Sequence, residues 1–147
     1  MRYLSWSIAL SLFISACNNV DKSKVSGANA VSAQPDDTSK YTTIQWIDSV
    51  IDYGKITEGQ KLDVAFRFKN TGNKLLVIRS VHAGCGCTET TNVDEPVAPG
   101  ADGVIKATFN SQGREGIQEK DVFVDANTKG TRNHKLHFKV EVEKAKG

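Results

Sequence analysis

The sequence is poor in proline, methionine and cysteine. The 3 prolines and 1 methionine in 147 residues exclude a collagen-like chain, a proline-rich spacer and a methionine-based metal carrier. Three cysteines are too few for a domain held together by several disulfides. Neither sign of charge dominates, because 19 Lys and Arg residues are balanced by 17 Asp and Glu residues, for a net charge of +2. Such a balance does not indicate a nucleic-acid partner.

The amino terminus has the composition of a secretory signal peptide over residues 1–16. Arg2 supplies a positive charge, an apolar run covers residues 4–14, and the small residues Ser15 and Ala16 follow. The run is too short to span a bilayer core, which needs about 20 apolar residues. We therefore expect this segment to direct export and to be removed.

Cys17 follows the small residues and suggests an anchored protein. Ile14-Ser15-Ala16-Cys17 resembles the lipobox of bacterial lipoproteins, in which the cysteine thiol receives a diacylglycerol and cleavage exposes the cysteine. The resemblance implies a lipidated, palmitate-bearing Cys17 that binds the lipid membrane. Two or three acyl chains hold a protein stably where one does not. We expect a lipid-anchored protein of the cell envelope, in the outer membrane and facing the periplasm or the cell surface.

A flexible tether is predicted to follow, so that residues 17–40 form the lipidated cysteine and its linker. Residues 18–40 contain no aromatic residue, Leu or Ile, and are rich in Ser, Asn, Ala and Asp. A random coil of this length spans roughly 25–30 Å. The remaining residues, 41–147, are predicted to form the folded domain.

The folded part shows the period-two pattern of β-strands. Leu62, Val64, Phe66 and Phe68 alternate with polar residues, as expected for a strand with one buried face. The same pattern, or a short β-branched run, recurs in residues 41–54, 75–81, 105–109, 120–125 and 135–142. The run 75–81 is apolar enough to predict a central strand. About seven short strands without a helix predict an all-β, immunoglobulin-like antiparallel sandwich.

Several motifs of the folded part resemble one bacterial family. They are Phe66-Arg67-Phe68-Lys69-Asn70-Thr71-Gly72, Leu76-Val77-Ile78, Cys85-Gly86-Cys87-Thr88 and Pro99-Gly100. Together they resemble domain of unknown function 1573, common as short lipoproteins in Bacteroidota, over residues 49–142. The Asn-Thr-Gly turn, in which Gly72 is expected to offer a positive φ, is similar to the Hydin and major-sperm-protein class of immunoglobulin-like domains. The resemblance implies the fold and no established activity.

Cys85-Gly86-Cys87 is the one motif that could carry chemistry. An exported protein favours a Cys85–Cys87 disulfide, and the small ring would be strained and reducible, with a bend at Gly86 that uses positive φ. A second interpretation is a soft-metal site for copper or zinc, with His82, Cys85 and Cys87 as ligands. A third is a redox or thiol-exchange pair, although the spacing is not that of a Cys-x-x-Cys centre.

The other candidate residues are weaker. His134 and His137 are expected on the surface, and no Ser, His and Asp order predicts a hydrolase. Two functions therefore stay open. The first is an anchored binding module without catalytic activity or cofactor, whose partner is another envelope protein or a glycan. The second is a thiol-redox or soft-metal protein acting through Cys85 and Cys87.

The lipid anchor is testable through Cys17. Cys17→Ser removes the thiol that would carry the diacylglycerol, so we expect an uncleaved or soluble protein that no longer partitions into detergent. Cys85→Ser is the matched control and should partition like the wild type. A Cys17→Ser chain that still fractionates with membranes at full yield would contradict the anchor.

Overall fold

The computed structural model describes residues 38–145, and these form two β-sheets packed face to face. The predicted signal peptide (1–16), the lipidation site Cys17 and the tether before residue 38 lie outside the described residues. Within 38–145, no helix is long and apolar enough to cross a membrane.

Eight strands follow a short 3₁₀ turn at Thr38–Lys40 in the described chain. They are β1 (Ile44–Trp46), β2 (Val50–Thr57), β3 (Lys61–Asn70), β4 (Ile78–Ala83), β5 (Thr88–Thr91), β6 (Asp102–Asn110), β7 (Gly116–Ala126) and β8 (Asn133–Glu143). One sheet has the strand order β1-β3-β6-β5, and the other has the order β2-β8-β7-β4. The predicted all-β, immunoglobulin-like sandwich is confirmed.

The core lies between the two sheets and follows the alternation read from the sequence. Phe66 and Phe68 of β3 are fully buried, as predicted, while the intervening Arg67 is exposed. The rings of Phe109 in β6 and Phe138 in β8 meet edge-to-face across the sheets, with centroids 5.8 Å apart. The other fully buried large apolar side chains are Leu76, Ile105, Leu136, Val64, Val122, Val124 and Val140.

One strand pair of the otherwise antiparallel sandwich is parallel. The chain crosses from the first sheet to the second between β1 and β2, and the backbone N–H groups of Ile47 and Asp48 both donate to the carbonyl of Arg67 there. The crossing places β2 beside β8 in the same direction, with Val50 opposite His137 and Thr57 opposite Glu143. The register shifts by one residue between Asp52 and Lys55. All other paired strands described are antiparallel.

β4 is an edge strand rather than the predicted central strand. The apolar run 75–81 predicted a central strand, but only part of it is buried in the core. Its buried apolar residues are Leu76, Ile78 and Val81. Leu75 and Val77 face outward and are 53% and 38% exposed. The short strand β5, which the sequence did not predict, is the edge strand of the first sheet. It contacts β4 of the second sheet, where the Thr90 hydroxyl donates to the Val81 carbonyl.

Asn70 organises one end of the sandwich, called here the Asn end. Its fully buried amide donates to the carbonyls of Lys74 and Val97, at 2.8 and 2.9 Å. Its carbonyl oxygen accepts from the Thr42 hydroxyl and from the Gly72 N–H. The side chain therefore makes all four hydrogen bonds available to an asparagine amide.

Gly72 is required for close packing and not for the positive φ that the sequence suggested. The structure gives this residue no left-handed backbone. A Cβ here would lie 2.6 Å from the backbone nitrogen of Thr43 and would also overlap the side chain of Thr42. Only glycine lets the turn after β3 approach the segment before β1 so closely.

His134 in β8 links the two sheets, which corrects its predicted place on the surface. The Trp46 indole N–H of β1 donates to His134 Nδ1 at 3.3 Å. Because indole is only a donor, Nδ1 is the acceptor and the ring proton lies on Nε2, which is 2.7 Å from the Thr128 hydroxyl. That hydroxyl donates in turn to the Thr131 carbonyl. Burial lowers the pKa of His134, opposed in part by Asp125.

This network predicts a pH-dependent stability. In the unfolded chain His134 titrates near 6.5, whereas the folded pKa is lower, so the unfolded state takes up a proton first as the pH falls. Stability is therefore complete above about pH 6.5 and declines from there toward the lower folded pKa. Unfolding in urea at pH 7.5 and 5.5 should show the decline in the wild type and a smaller one in His134→Gln. His82→Gln, at an exposed position, should keep the full decline, and an equal decline in His134→Gln would contradict the assignment.

Candidate functional site

The Cys-Gly-Cys motif forms the connection between β4 and β5 at the end of the sandwich opposite the Asn end, called here the disulfide end. Cys85 and Cys87 are joined by a disulfide with their Cα atoms 5.3 Å apart. Cys85 is partly exposed, whereas Cys87 is 9% exposed and belongs to the core. The buried Thr88 hydroxyl lies 3.6 Å from Cys85 Sγ and 3.9 Å from Cys87 Sγ.

The loop is also held by backbone hydrogen bonds that do not involve sulfur. The N–H of Gly84 donates to the carbonyl of Asp121 in β7 at 2.9 Å. On the other side, the N–H of Asn110 in β6 donates to the carbonyl of Cys87 at 3.0 Å. Each half of the loop is thus attached to a different sheet, independently of the bridge.

The positive φ predicted for Gly86 is wrong. Gly86 does not have a positive φ, and a Cβ built on it meets no atom within 4 Å. The chain closes the bridge with a backbone that other residues can adopt. Nothing in the loop therefore requires glycine at this position.

The soft-metal interpretation has no ligand set in the described part of the chain. The two sulfur atoms are bonded to each other, so neither is a thiolate ligand. His82 is exposed, and its ring stacks on Phe123 with centroids 5.3 Å apart. Among residues 38–145, no three His, Cys, Asp or Glu side chains come together to hold a metal ion.

A small polar pocket of about 170 Å³ adjoins the bridge. It is lined by Lys61, Gly86, Cys87, Glu89, Thr108, Asn110, Gln112 and Arg114. Its walls are fixed, because the Ser111 hydroxyl donates to the Gln60 carbonyl at 2.7 Å and ties the β6–β7 loop to the turn before β3. The pocket therefore brings two cations and one carboxylate close to the buried cysteine.

A third cation, Lys120, lies near Arg114 at this end of the molecule. Burial lowers the pKa of Lys120, whose ammonium lies 5.9 Å from the centroid of the Phe109 ring, and the Arg114 guanidinium lowers it further. Arg114 Nε is buried without a hydrogen-bond partner among the described residues. Neither Lys61 nor Arg114 forms an ion pair with a carboxylate of the described chain.

A second, larger groove of about 500 Å³ lies at the Asn end, where β4 begins. It is lined by Ser39, Lys40, Lys74, Leu75, Val77, Arg79 and Asn127. The Asn127 amide donates to the carbonyls of Lys40 and Leu75, and its oxygen accepts from the Val77 N–H at 2.7 Å. This single buried side chain fixes both walls of the groove.

The sequence predicted one of these two regions and missed the other. Cys85 and Cys87 lie together as expected, His82 lies on the neighbouring strand, and Cys17 lies outside the described residues. The sequence does not reveal the groove, because the apolar run 75–81 predicts a central strand in which Leu75 and Val77 would be buried. Their alternation with the buried Leu76 was the available signal.

Comparisons with known proteins agree on the fold. A model of the family described as "Protein of unknown function (DUF1573)" matches residues 44–142. No curated protein matches the chain. A protein of unknown function from Porphyromonas gingivalis W83 is similar in structure, with a TM-score of 0.62 and 16% identity over 71% of this chain and 48% of that chain.

Two further structures share the fold. The secreted serine protease VesC from Vibrio cholerae has a TM-score of 0.56 and 13% identity over 72% of this chain and 24% of its own. The YadV chaperone has a TM-score of 0.52 and 16% identity over 72% of this chain and 55% of its own. The chain thus spans from about a quarter to about half of the length of these proteins. Such distant likenesses show the fold alone.

The geometry of the bridge gives a prediction at Gly86. Gly86→Ala should leave the Cys85–Cys87 disulfide intact, because the backbone is accessible to alanine and the added methyl meets open space. Alkylation without reductant followed by mass spectrometry should find neither cysteine modified. Gly72→Ala is the contrasting variant and should destabilise the fold, since its methyl overlaps the segment before β1. Free thiols at positions 85 and 87 in Gly86→Ala would contradict the structure.

Proposed function

The chain belongs to the DUF1573 family, and from that premise and the groove at the start of β4 we propose that it is a binding module of the cell envelope. The module binds an extended segment of another envelope protein, with apolar side chains flanked by carboxylates. The lipidated Cys17 inferred from the sequence would keep the module at a membrane. No catalytic step enters this function.

The observation that carries the proposal is the exposed apolar pair Leu75 and Val77. Both side chains sit on a backbone that Asn127 holds rigidly, so their exposure belongs to the folded state. The Val77 N–H and C=O are both bonded to Asn127, which leaves side chains as the means of recognition at this residue. Exposed apolar pairs in a fixed groove are a common feature of peptide-binding surfaces.

The rim of the groove defines the charge of the partner. Among residues 38–145, Lys40, Lys74 and Arg79 line it and no acidic residue does. The Asp125 carboxylate, which is not part of the lining, pairs with Arg79 at 3.4 Å. Complementarity therefore favours a segment that carries aspartate or glutamate beside its apolar side chains.

The size of the groove favours a segment over a folded surface. About 500 Å³ accommodates a few side chains of an extended chain. One protein that shares the fold is a chaperone, and this supports a protein as the partner in preference to a glycan. Protein segments bound at the edges of sandwiches are a recurring mode of recognition.

Peptide binding tests the groove. The probe is a fluorescent decapeptide in which Leu and Val alternate with Asp, compared with the same peptide carrying Lys in place of Asp. Fluorescence anisotropy should show binding of the acidic peptide alone. Leu75→Asp should raise its Kd at least tenfold, because the substitution removes an apolar contact and adds a repelling charge.

The matched control is Ile117→Asp. Ile117 is 63% exposed, and it lies at the start of β7 at the disulfide end, so the same chemical change should leave the Kd unaltered. Higher salt should weaken binding of the acidic peptide, as expected for a charged rim. Equal loss of binding in both variants, preference for the Lys peptide, or no binding of either peptide would each contradict the proposal.

A further inference from the structure

We propose that the Cys85–Cys87 bridge is an exchangeable disulfide that oxidises thiols, with Cys85 as the sulfur attacked and Cys87 as the leaving sulfur. The polar pocket beside Cys87 stabilises the thiolate that leaves. The substrate class is a protein or small molecule that carries two thiols. This activity is separate from the binding groove, which lies at the other end of the sandwich.

The bridge adds little to the fold, which argues against a purely structural role. The stabilisation a disulfide gives increases with the length of chain that it closes, and this one joins residues two apart. The ends of the loop are already fixed by the hydrogen bonds from Gly84 to Asp121 and from Asn110 to Cys87. Opening the bridge therefore leaves the connection between β4 and β5 in place.

Exposure determines which sulfur is attacked. Cys85 is partly exposed, while Cys87 is packed in the core, so an incoming thiolate reaches Cys85 more readily. The Thr88 hydroxyl lies within 4 Å of both sulfur atoms and can donate a hydrogen bond to whichever becomes a thiolate. The two cysteines thus have different roles although they are chemically identical.

The exchange takes place in two balanced steps. A substrate thiolate attacks Cys85 Sγ, a new S–S bond forms, the Cys85–Cys87 bond breaks, and its electron pair goes to Cys87 as a thiolate. The second substrate thiolate then attacks the substrate sulfur of this mixed disulfide and releases Cys85. The substrate loses two electrons and two protons to become a disulfide, and the bridge gains them as two thiols.

The pocket charges suit a leaving thiolate. Lys61 and Arg114 line the pocket with Cys87, and neither has an acidic partner within 4 Å in the described chain. Arg114 Nε is buried and unbonded, an arrangement that proteins avoid unless an anion or water is to be bound there. Glu89 also lines the pocket and opposes the two cations. Nearby positive charge is the usual means of stabilising a cysteine thiolate.

The test is the rate at which dithiothreitol reduces the bridge in the full chain at pH 7. Samples are quenched with iodoacetamide, and mass spectrometry of peptides separates Cys85 and Cys87 from Cys17. Arg114→Gln and Lys61→Gln should each slow reduction about threefold, the size expected for one partly exposed charge. Glu89→Gln should accelerate it by a similar factor, and Arg114→Lys, which keeps the charge, should remain close to the wild type.

A second measurement separates the two sulfurs. In a Cys17→Ser background, Cys85→Ser leaves Cys87 as the one thiol and Cys87→Ser leaves Cys85. The Cys87 thiol should titrate at lower pH than the Cys85 thiol, as followed by thiolate absorbance at 240 nm. Adding Arg114→Gln to each of these variants should raise the pKa of the Cys87 thiol and leave the pKa of the Cys85 thiol nearly unchanged. A merely structural role for Arg114 would not separate the two thiols in this way.

Three results would overturn the proposal. They are equal reduction rates in all charge variants, a lower pKa at Cys85 than at Cys87, and loss of the β-sheet circular dichroism spectrum on reduction. Leu75→Asp, which should weaken peptide binding, should leave the reduction rate unchanged. A failure of the proposed peptide binding can therefore be distinguished from a failure of the proposed thiol exchange.

Discussion

Two buried asparagine side chains supply the constraint on which the Asn end depends. Buried backbone N–H and C=O groups must find hydrogen-bond partners. The side chains of Asn70 and Asn127 provide them for five backbone groups in three segments of the chain, at 40, 74–77 and 97. A side chain of other shape would leave several buried polar groups unpaired at once. The turn after β3, the corner at 97 and the segment before β1 therefore depend on these two amides.

The same constraint produces the exposed groove. Asn127 fixes Val77 and Leu75 on one wall and Lys40 on the other, so the apolar side chains cannot turn inward. An edge strand usually hides its apolar residues or carries charges to prevent aggregation. Here Lys40, Lys74 and Arg79 line the groove beside the apolar pair and supply such charges.

The two ends of β4 carry different chemistry, and the strand itself explains the separation. Its first residues border the groove, and its last residue precedes the loop of the bridge. Between them, pairing with β7 and the bond from Thr90 to Val81 fix the strand on both sides. A ligand at one end thus has no evident means of altering the geometry at the other.

Local sequence pattern was sufficient for most of the strands but not for β5, for the pairing of the strands or for the surfaces between them. Phe66 and Phe68 could be assigned to the core because their alternation with polar residues depends only on neighbours in sequence. β5, the parallel pairing of β2 and the edge position of β4 depend on partners far along the chain, which a period cannot specify. For the same reason, the sequence could not place Lys61 and Arg114 beside Cys87, because the three residues come from separate parts of the chain and share only the lining of the pocket. Gly72 and Gly86 show the same limit, since only the packing distinguishes a required glycine from a replaceable one.

The parallel pairing of β2 with β8 has a mechanical consequence. The described chain enters at the Asn end, beside Asn127, and β8 ends at the opposite end, where the Glu143 carbonyl accepts from the Glu58 N–H. Tension applied to the two ends of residues 38–145 therefore acts along the strands and loads the β2–β8 hydrogen bonds together in shear. In an antiparallel pair that is pulled at two adjacent ends, the hydrogen bonds would instead break one after another. This sandwich should therefore resist stretching better than its small size suggests.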